Sequence, residues 1–458
     1  MSEGPAVSTT AEDSRPAARR NEGGLTRILR ALRYRNCRLF FGGQGISLIG
    51  TWMQSVALSW LVYRLTGSAF LLGAVGFAGQ IPILLLAPVA GVLADRWPLR
   101  RVLVLTQSAA LLQAATLALL TLTGAINVWQ IMLLSTLMGV INAFDMPVRQ
   151  AFVVQMVEQI EDLGNAIALN SFLVNGARLL GPSLAGVLIA AIGEGHCFLL
   201  NAVSYVAVII ALLAMRLAPR SRPAHNGSLT SGLRDGFAYG FGFPPIRAVL
   251  LLLALVSLLG MSYSTVMPIF AHDILGGESG TYGFLLGATG LGAVIGAVYL
   301  ASRPSVIGLG RIITVGAGLF GFGLIAVACT RVFWLALLMM LLVGLGMMLQ
   351  IVSSNTFLQT IVDDDKRGRI MSLYTIAFIG MTPFGSLLAG TLAHSLGAPR
   401  TLILGGASCV LGAILFGRRL PAWRQLVRPI YSRKGIIPPP SAAAADHSQP
   451  VSSASSQQ

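Results

Sequence analysis

Charge is what this sequence has least of. Only 11% of its 458 residues are Asp, Glu, Lys or Arg, against about 25% in an ordinary soluble domain. That shortage excludes a soluble globular protein, whose surface needs charge, and a disordered chain, which needs even more. Acidic residues are the scarcer sign, 17 against 32 basic ones. Cysteine is rare too, and Cys37, Cys197, Cys329 and Cys409 stand far apart. With no C-x-x-C pair and no Cys/His ligand spacing, no metal site is expected, and the four read as small buried hydrophobes. The glycine-rich phosphate loop of ATP-driven machines is missing. So are a Ser/His/Asp set and a zinc-binding helix motif. The expectation is a protein that is not an enzyme and carries no cofactor.

What is present is apolar. Hydrophobic residues make up 55% of the chain and the mean hydropathy is +0.75. A membrane-spanning helix needs about 20 consecutive apolar residues, and runs of that kind recur at 38–63, 70–94, 101–122, 128–149, 163–192 and 197–215. After a polar break a second set follows at 248–270, 282–301, 312–329, 332–354, 370–395 and 402–417. Runs this long disfavour an outer-membrane barrel, whose strands alternate over about ten residues. The fold class expected is an all-α membrane protein with twelve transmembrane helices in two pseudo-symmetric six-helix bundles. The organisation read from this is a tail at 1–37, a bundle at 38–216, a linker at 217–247, a bundle at 248–417 and a disordered tail at 418–458. In the first tail Leu25, Ile28, Leu29 and Leu32 recur at helical spacing with Arg27, Arg30 and Arg33 between them. That is either a basic amphipathic helix on an anionic leaflet or a plain linker.

A net charge of +15 admits nucleic acid as a partner, but the placement of the basic residues argues for a membrane instead. With both tails on one side, every Lys and Arg falls on that side except Arg64, Arg331 and Arg400 opposite and Arg178 within a run. Cytoplasmic loops of helical membrane proteins carry such an excess. The expectation is a multi-pass protein of the bacterial cytoplasmic membrane with both termini cytoplasmic.

The two halves repeat. Residues 70–74 (Phe-Leu-Leu-Gly-Ala) and Gly76 recur as 284–288 and Gly290. Gln155, Gly164, Gly176, Gly181, Leu184, Ala185, Gly186, Leu188 and Gly193 recur, each 204 positions on, as Gln359, Gly368, Gly380, Gly385, Leu388, Ala389, Gly390, Leu392 and Gly397. Matched runs cross the bilayer in the same direction, so the repeat is parallel, about an axis along the membrane normal. Transporters show this arrangement.

Five constellations carry chemistry. The loop after the second run holds Gly91, Asp95, Arg96, Pro98, Arg100 and Arg101. An acid at a membrane boundary crowded with arginines ionises and pairs, and a pair that can form and release is a gate. The alternative is a plain stop-transfer turn. Asp145 and Arg149, one helical turn apart on the fourth run, face the same side. In the fifth run, Gly181, Pro182 and Gly186 combine a missing backbone donor with close helix approach. Arg178 lies near the middle of that run, on one face with Ser171, Asn175 and Pro182. An intramembrane arginine is costly and faces a polar interior. It serves as a fixed cation for an anionic substrate or in a pair; snorkelling is the bland alternative. The first run has a polar stripe as well, Gln44, Ser47, Thr51 and Gln54. Such groups need partners inside a bilayer, in a water-filled cavity or within the bundle. No carboxylate sits at mid-membrane, for Asp145 and Asp273 lie near opposite ends of their runs.

Residues 91–101 resemble the loop signature of the major facilitator superfamily, with Pro98 and Leu99 where its further glycine usually stands. Ser47–Gln54, Trp60–Tyr63 with Thr66–Ser68, Asn142–Gln150, Gly181-Pro182 with Gly186, Arg367–Arg369 and Met371-Ser372 are similar to the enterobactin-exporter-like branch, also called transmembrane secretion effectors. The resemblance covers about residues 35–417. It implies alternating access, usually proton-driven export, and a central cavity on runs one, four, seven and ten. Asn142, Ser257, Met261, Gln350 and Asn355 then join Gln44, Ser47, Thr51, Gln54, Asn175 and Arg178 as cavity candidates. It also implies that the loop acid engages run four and the start of run eleven. The inner gate would then be Asp95, Arg96, Arg101, Asp145, Arg149 and Arg369. Gly181, Pro182 and Gly186 partly match the family's antiporter motif. The expected partners are a small-molecule substrate of drug-like or siderophore type, a proton and the lipid bilayer, with no nucleic acid, and the chain is expected to be a monomer. An uncoupled facilitator or importer, or a scaffold or sensor that no longer transports, are the other readings.

Overall fold

The computed structural model describes residues 30–157, 162–216, 237–303 and 305–437, without the side chains of residues 30, 31, 88, 92 and 94–96. Among them are twelve helices long and apolar enough to cross a membrane. In chain order they are α1 (Arg35–Thr66), α2 (Ala69–Arg96), α3 (Leu99–Leu122), α4 (Val128–Met156), α5 (Leu163–Ile192) and α6 (Glu194–Ala214). The second set is α7 (Pro244–Ile274), α8 (Ser279–Ala301), α9 (Leu309–Cys329), α10 (Phe333–Ile361), α11 (Arg367–Leu396) and α12 (Ala398–Arg433). No strand occurs among the described residues.

A backbone in lipid must satisfy its own hydrogen bonds, and helices do so within the segment. Their ends follow from local chemistry. Ser68 caps α2 by accepting from the Leu71 N–H at 3.3 Å. Asn127 and Gln130 form a reciprocal capping box at the start of α4, at 3.0 and 2.9 Å. Gly193 and Gly397, matched by the repeat, turn the chain between α5 and α6 and between α11 and α12 with φ of 84° and 86°. Only glycine takes that conformation without strain.

The near face carries the start of α1 and the end of α12, and the far face carries the turns at Gly67, Gly193 and Gly397. At the far face Trp129 and Trp334, each the second residue of α4 and α10, are exposed. Indole rings favour that depth, where one edge is apolar and the other wet. Leu105, Leu112 and Leu119 form an exposed stripe down α3, as a lipid-facing surface requires.

Small residues set the helix spacing. On α4, Gly139 lies against Gly79 and Pro82 of α2. On α10, Gly344 lies against Thr289 of α8. Three π turns interrupt the regular ladder, at Val256–Gly260 and Phe270–Ile274 in α7 and at Ile376–Gly380 in α11. Such turns insert a residue and free a carbonyl, and they cluster at functional places.

One reading of the chain changes here. The last helix does not stop at 417; it continues to Arg433, and Phe416 and Trp423 hold its extension by an edge-on ring contact at 5.0 Å. Of the basic segment at 25–33, the structure describes Arg30–Arg33 as a single 3-10 turn. The rest of that segment, the segment 217–236 of the expected linker and the tail from 438 lie outside the described residues.

Candidate functional site

A cavity of about 400 Å³ lies between the two sets of helices. Its first-set wall includes Trp52, Gln54, Gln80, Gln113, Ser135 and Asn142, and its second-set wall includes Met261, Tyr263, Tyr282, Thr289, Met347 and Ser386. Arg178 of α5 also lines it, the one charged residue to do so among the described residues.

The polar wall is fixed by a side-chain network. Gln54 donates to the Gln113 carbonyl oxygen at 3.1 Å, and Gln113 donates to the Leu134 backbone carbonyl at 3.2 Å. Asn201 of α6 donates to Gln54 at 2.7 Å, and the Ser204 hydroxyl donates to Asn201 at 3.1 Å. Gly50 makes room, since a Cβ there would meet the Asn201 amide and the Ser204 hydroxyl. Amides locked in this way present fixed donors and acceptors to a ligand.

Arg178 stands 15 residues into α5, about 22 Å along a helix rising 1.5 Å per residue. Its guanidinium lies over the Trp52 ring, 5.1 Å from the centroid. The backbone around it is tightly held. Gly181 lies against the Trp52 Cβ and the Ile49 carbonyl of α1, while a Cβ on Gly290 of α8 would come within 2.7 Å of the Arg178 carbonyl. Gly186 meets α8 at Ser279, Gly280 and Gly283. Gly181, Pro182 and Gly186 therefore form a packing point for two helices.

Asp145 is buried, 2% exposed. It forms an ion pair with Arg149 at 2.7 Å and accepts from the Thr106 hydroxyl at 2.9 Å and the Gln107 amide at 2.8 Å. Both donors are on α3, where the sequence points to Arg101 but to neither of these two residues. The corresponding place in the second set is different. Gln350 takes it on α10, and Gly316 of α9 lies against the Gln350 backbone. Neither amide atom of Gln350 finds a partner among the described residues, nor do the hydroxyls of Ser257, Ser353 and Ser354.

The far face is closed by contacts between the sets. The Tyr63 hydroxyl of α1 donates to Asp273 of α7 and lies 3.1 Å from His272 Nδ1. Trp60 stacks on Tyr282, with centroids 6.2 Å apart. The Ser279 hydroxyl donates to the Gly186 carbonyl at 3.4 Å. Gly73 of α2 and Gly390 of α11 meet backbone to backbone. Beside them, Arg64 makes a two-pronged pair with Glu194 at 2.8 and 3.1 Å.

Of the expected cavity residues, Thr51, Gln54, Asn142, Arg178 and Met261 line it. Gln44, Ser47, Ser257 and Gln350 are instead buried and do not line it. Asn175 donates at 2.8 Å to the Ser171 carbonyl of its own helix, and Asn355 accepts from Gln359 at 2.5 Å. Among the residues expected at the gate, the side chains of Asp95 and Arg96 lie outside the described residues. Arg101 is exposed at the start of α3. Arg369 is exposed on the near-face turn of α11 and is engaged there.

The structure adds Trp52, Gln80, Gln113, Tyr263 and Thr289 to the cavity wall. The two glutamines carried a usable signal, since each is an amide inside a long apolar run.

A cavity at the crossing of two matched helix sets is the architecture of a carrier. Residues 29–448 match the family described as transmembrane secretion effector. The chain belongs to this family of major facilitator superfamily transporters. It is 28% identical over 380 residues to the staphyloferrin A transporter of Staphylococcus aureus, covering 83% of this chain and 95% of that one. It is 27% identical over 374 residues to the multidrug efflux pump Tap of Mycolicibacterium fortuitum, covering 77% and 88%. In fold it is similar to a bacterial homolog of the human lysosomal transporter Spinster in an inward-facing, unoccupied conformation. That comparison has a TM-score of 0.65 and 14% identity, covering 86% of this chain and 97% of that one. The nucleoside transporter NupG superposes with a TM-score of 0.62 and 15% identity, over 84% and 98%. The chain is thus a multi-pass membrane transporter of the secretion effector family, and its fold is the major facilitator fold.

Proposed function

We propose that this transporter exports a small amphipathic organic molecule, of drug-like or siderophore type, by alternating access coupled to proton influx. The observation that carries this reading is the cavity itself. It sits between the two helix sets and joins a hydrogen-bonding wall to an apolar one. Its far end is held shut by contacts that cross from one set to the other. Rocking of one set against the other exposes such a site to each face in turn. The near face is assigned to the cytoplasm, because the excess of Lys and Arg lies there. The relatives point the same way, one being named for a siderophore and the other for drug efflux.

Coupling to protons is assigned to an acid at the near face, Asp95 or Asp145. Asp145 is buried, paired with Arg149 and held by its α3 donors. Asp95, Arg96, Arg101, Arg149 and Arg369 are assigned to the gate at the near face. One observation favours a second reading: among the described residues no acidic one lines the cavity, as suits a facilitator that moves its substrate downhill.

Efflux from cells expressing the chain, over a panel of siderophores and drugs, tests the proposal. Extrusion is expected to stop with a protonophore and to fall at least tenfold in Asp145→Asn and in Asp95→Asn. Extrusion that survives the protonophore selects the facilitator. Extrusion of nothing in the panel rejects the exporter reading.

A further inference from the structure

Among the described residues, Arg178 is the one charged group lining the cavity. Among the described residues its guanidinium has the Trp52 ring as a neighbour, and no ion pair or hydrogen bond is formed to it. Trp52 comes from α1 of the first set. Tyr263 of α7 lies on the opposite wall. An aromatic face compensates a cation only partly. Arg178 is half-buried on the cavity wall, and an anion such as a carboxylate matches its planar fork of donors.

We infer that the cavity takes an amphipathic organic anion whose carboxylate is bound by Arg178, an assignment that rests on the export reading above and narrows its substrate class. Three features shape the ligand. The guanidinium fixes a carboxylate near mid-membrane by charge-assisted hydrogen bonds. The amides of Gln54, Gln80 and Gln113 face the cavity and take polar groups further along the molecule. Met138, Met261 and Met347 supply an adaptable apolar surface for the rest. The volume suits one small molecule of drug size. A cationic substrate would meet a like charge across a site of low dielectric with no carboxylate to receive it. The site therefore discriminates by sign before it discriminates by shape.

The test uses the full-length protein in nanodiscs and three fluorescent probes of one skeleton: dansylglycine, its methyl ester, and the primary amine dansylcadaverine. Fluorescence titration is expected to give about 10- to 100-fold tighter binding of the acid than of the ester, the range for a hydrogen bond to a charged group. The amine is expected not to bind over the same range. Arg178→Gln should erase the preference for the acid while leaving ester binding in place, and Arg178→Lys should keep part of it. The inference is overturned if the ester or the amine matches the acid, if none of the three binds, or if Arg178→Gln retains the preference. Should the Gln variant fail to fold, the wild-type ranking of the three probes decides alone. Efflux of neutral or cationic substrates only would reject this assignment and leave the exporter reading standing.

Discussion

At the scale of single residues, the two halves solve one position in opposite ways. Asp145 has an arginine and two α3 donors around it. Its counterpart Gln350 faces α9 where that helix has Gly316 and Ala317 in place of Thr106 and Gln107. Truncating one member of a buried pair strands the other, at about 3–5 kcal/mol. Asp145→Ala is therefore expected to lower the unfolding midpoint of the purified protein sharply, and Asp145→Ala/Arg149→Ala to recover part of the loss. An unchanged midpoint in the single variant would mean that water already solvates the pair. The polar network gives a second contrast. Gln113→Leu takes the acceptor away from Gln54 Nε2 and the side-chain donor away from the Leu134 carbonyl, a cost of about 1–3 kcal/mol. Gln350→Leu removes polar atoms that have no partner to strand and should be neutral or stabilising. Thermal unfolding of the two variants side by side checks this; equal losses would show that Gln350 is solvated after all. Asp145 with Arg149 was legible in the sequence, because a spacing of four on a helix fixes the pair. The α3 donors were not, since Thr106 and Gln107 look like ordinary polar interruptions until α3 is laid against α4. Gln350 misled for the same reason: a polar residue in an apolar run shows that a partner is needed, not which way the side chain points.

At the scale of helices, small residues decide where the two sets touch. Gly283 of α8 lies so close to α5 that an added Cβ would come within 2.6 Å of the Gly186 Cα. Gly390 of α11 sits between Ala69 and Gly73 of α2 in the same manner. Backbones that cross this closely cannot accept a branched side chain without moving apart, at a cost of about 1–3 kcal/mol or more. Gly283→Val and Gly390→Val are each expected to insert normally, because each helix remains apolar, yet to lose most transport, because the far face cannot close. Disulfide formation between cysteines placed at Ala190 and Gly280 would report closure; efficient cross-linking in Gly283→Val would reject this role for the glycine. The repeat had already singled out Gly73, Gly186 and Gly390 from spacing alone, though not Gly283. Which helix each one meets was not legible, because contacts between sets depend on how two separately folded bundles dock. The π turns of α7 and α11 were hidden as well, since an inserted residue leaves no mark in a continuous apolar run.

At the scale of the whole molecule, the number and direction of the helices were the most legible features, because they rest on long sums of hydrophobicity and not on single contacts. The side of the membrane rests on charge alone, and the native cysteines offer an independent check. Cys37, Cys197 and Cys409 are buried, while Cys329 is exposed at the far-face end of α9. If the near face is cytoplasmic, then Cys329 faces the outside of the cell, next to Arg331. A membrane-impermeant maleimide applied to spheroplasts should label the wild-type chain at that single site, and Cys329→Ser should abolish labelling without affecting expression. Labelling that appears only after permeabilisation would place α9 the other way up and, through the unbroken alternation of the spans, both termini outside. Arg64, Arg331 and Arg400 would then lie on the cytoplasmic face and nearly all the other basic residues outside, against the charge bias that orients helical membrane proteins. The exporter reading would turn with it, because the contacts around Tyr63 and Asp273 would then close the cavity against the cytoplasm.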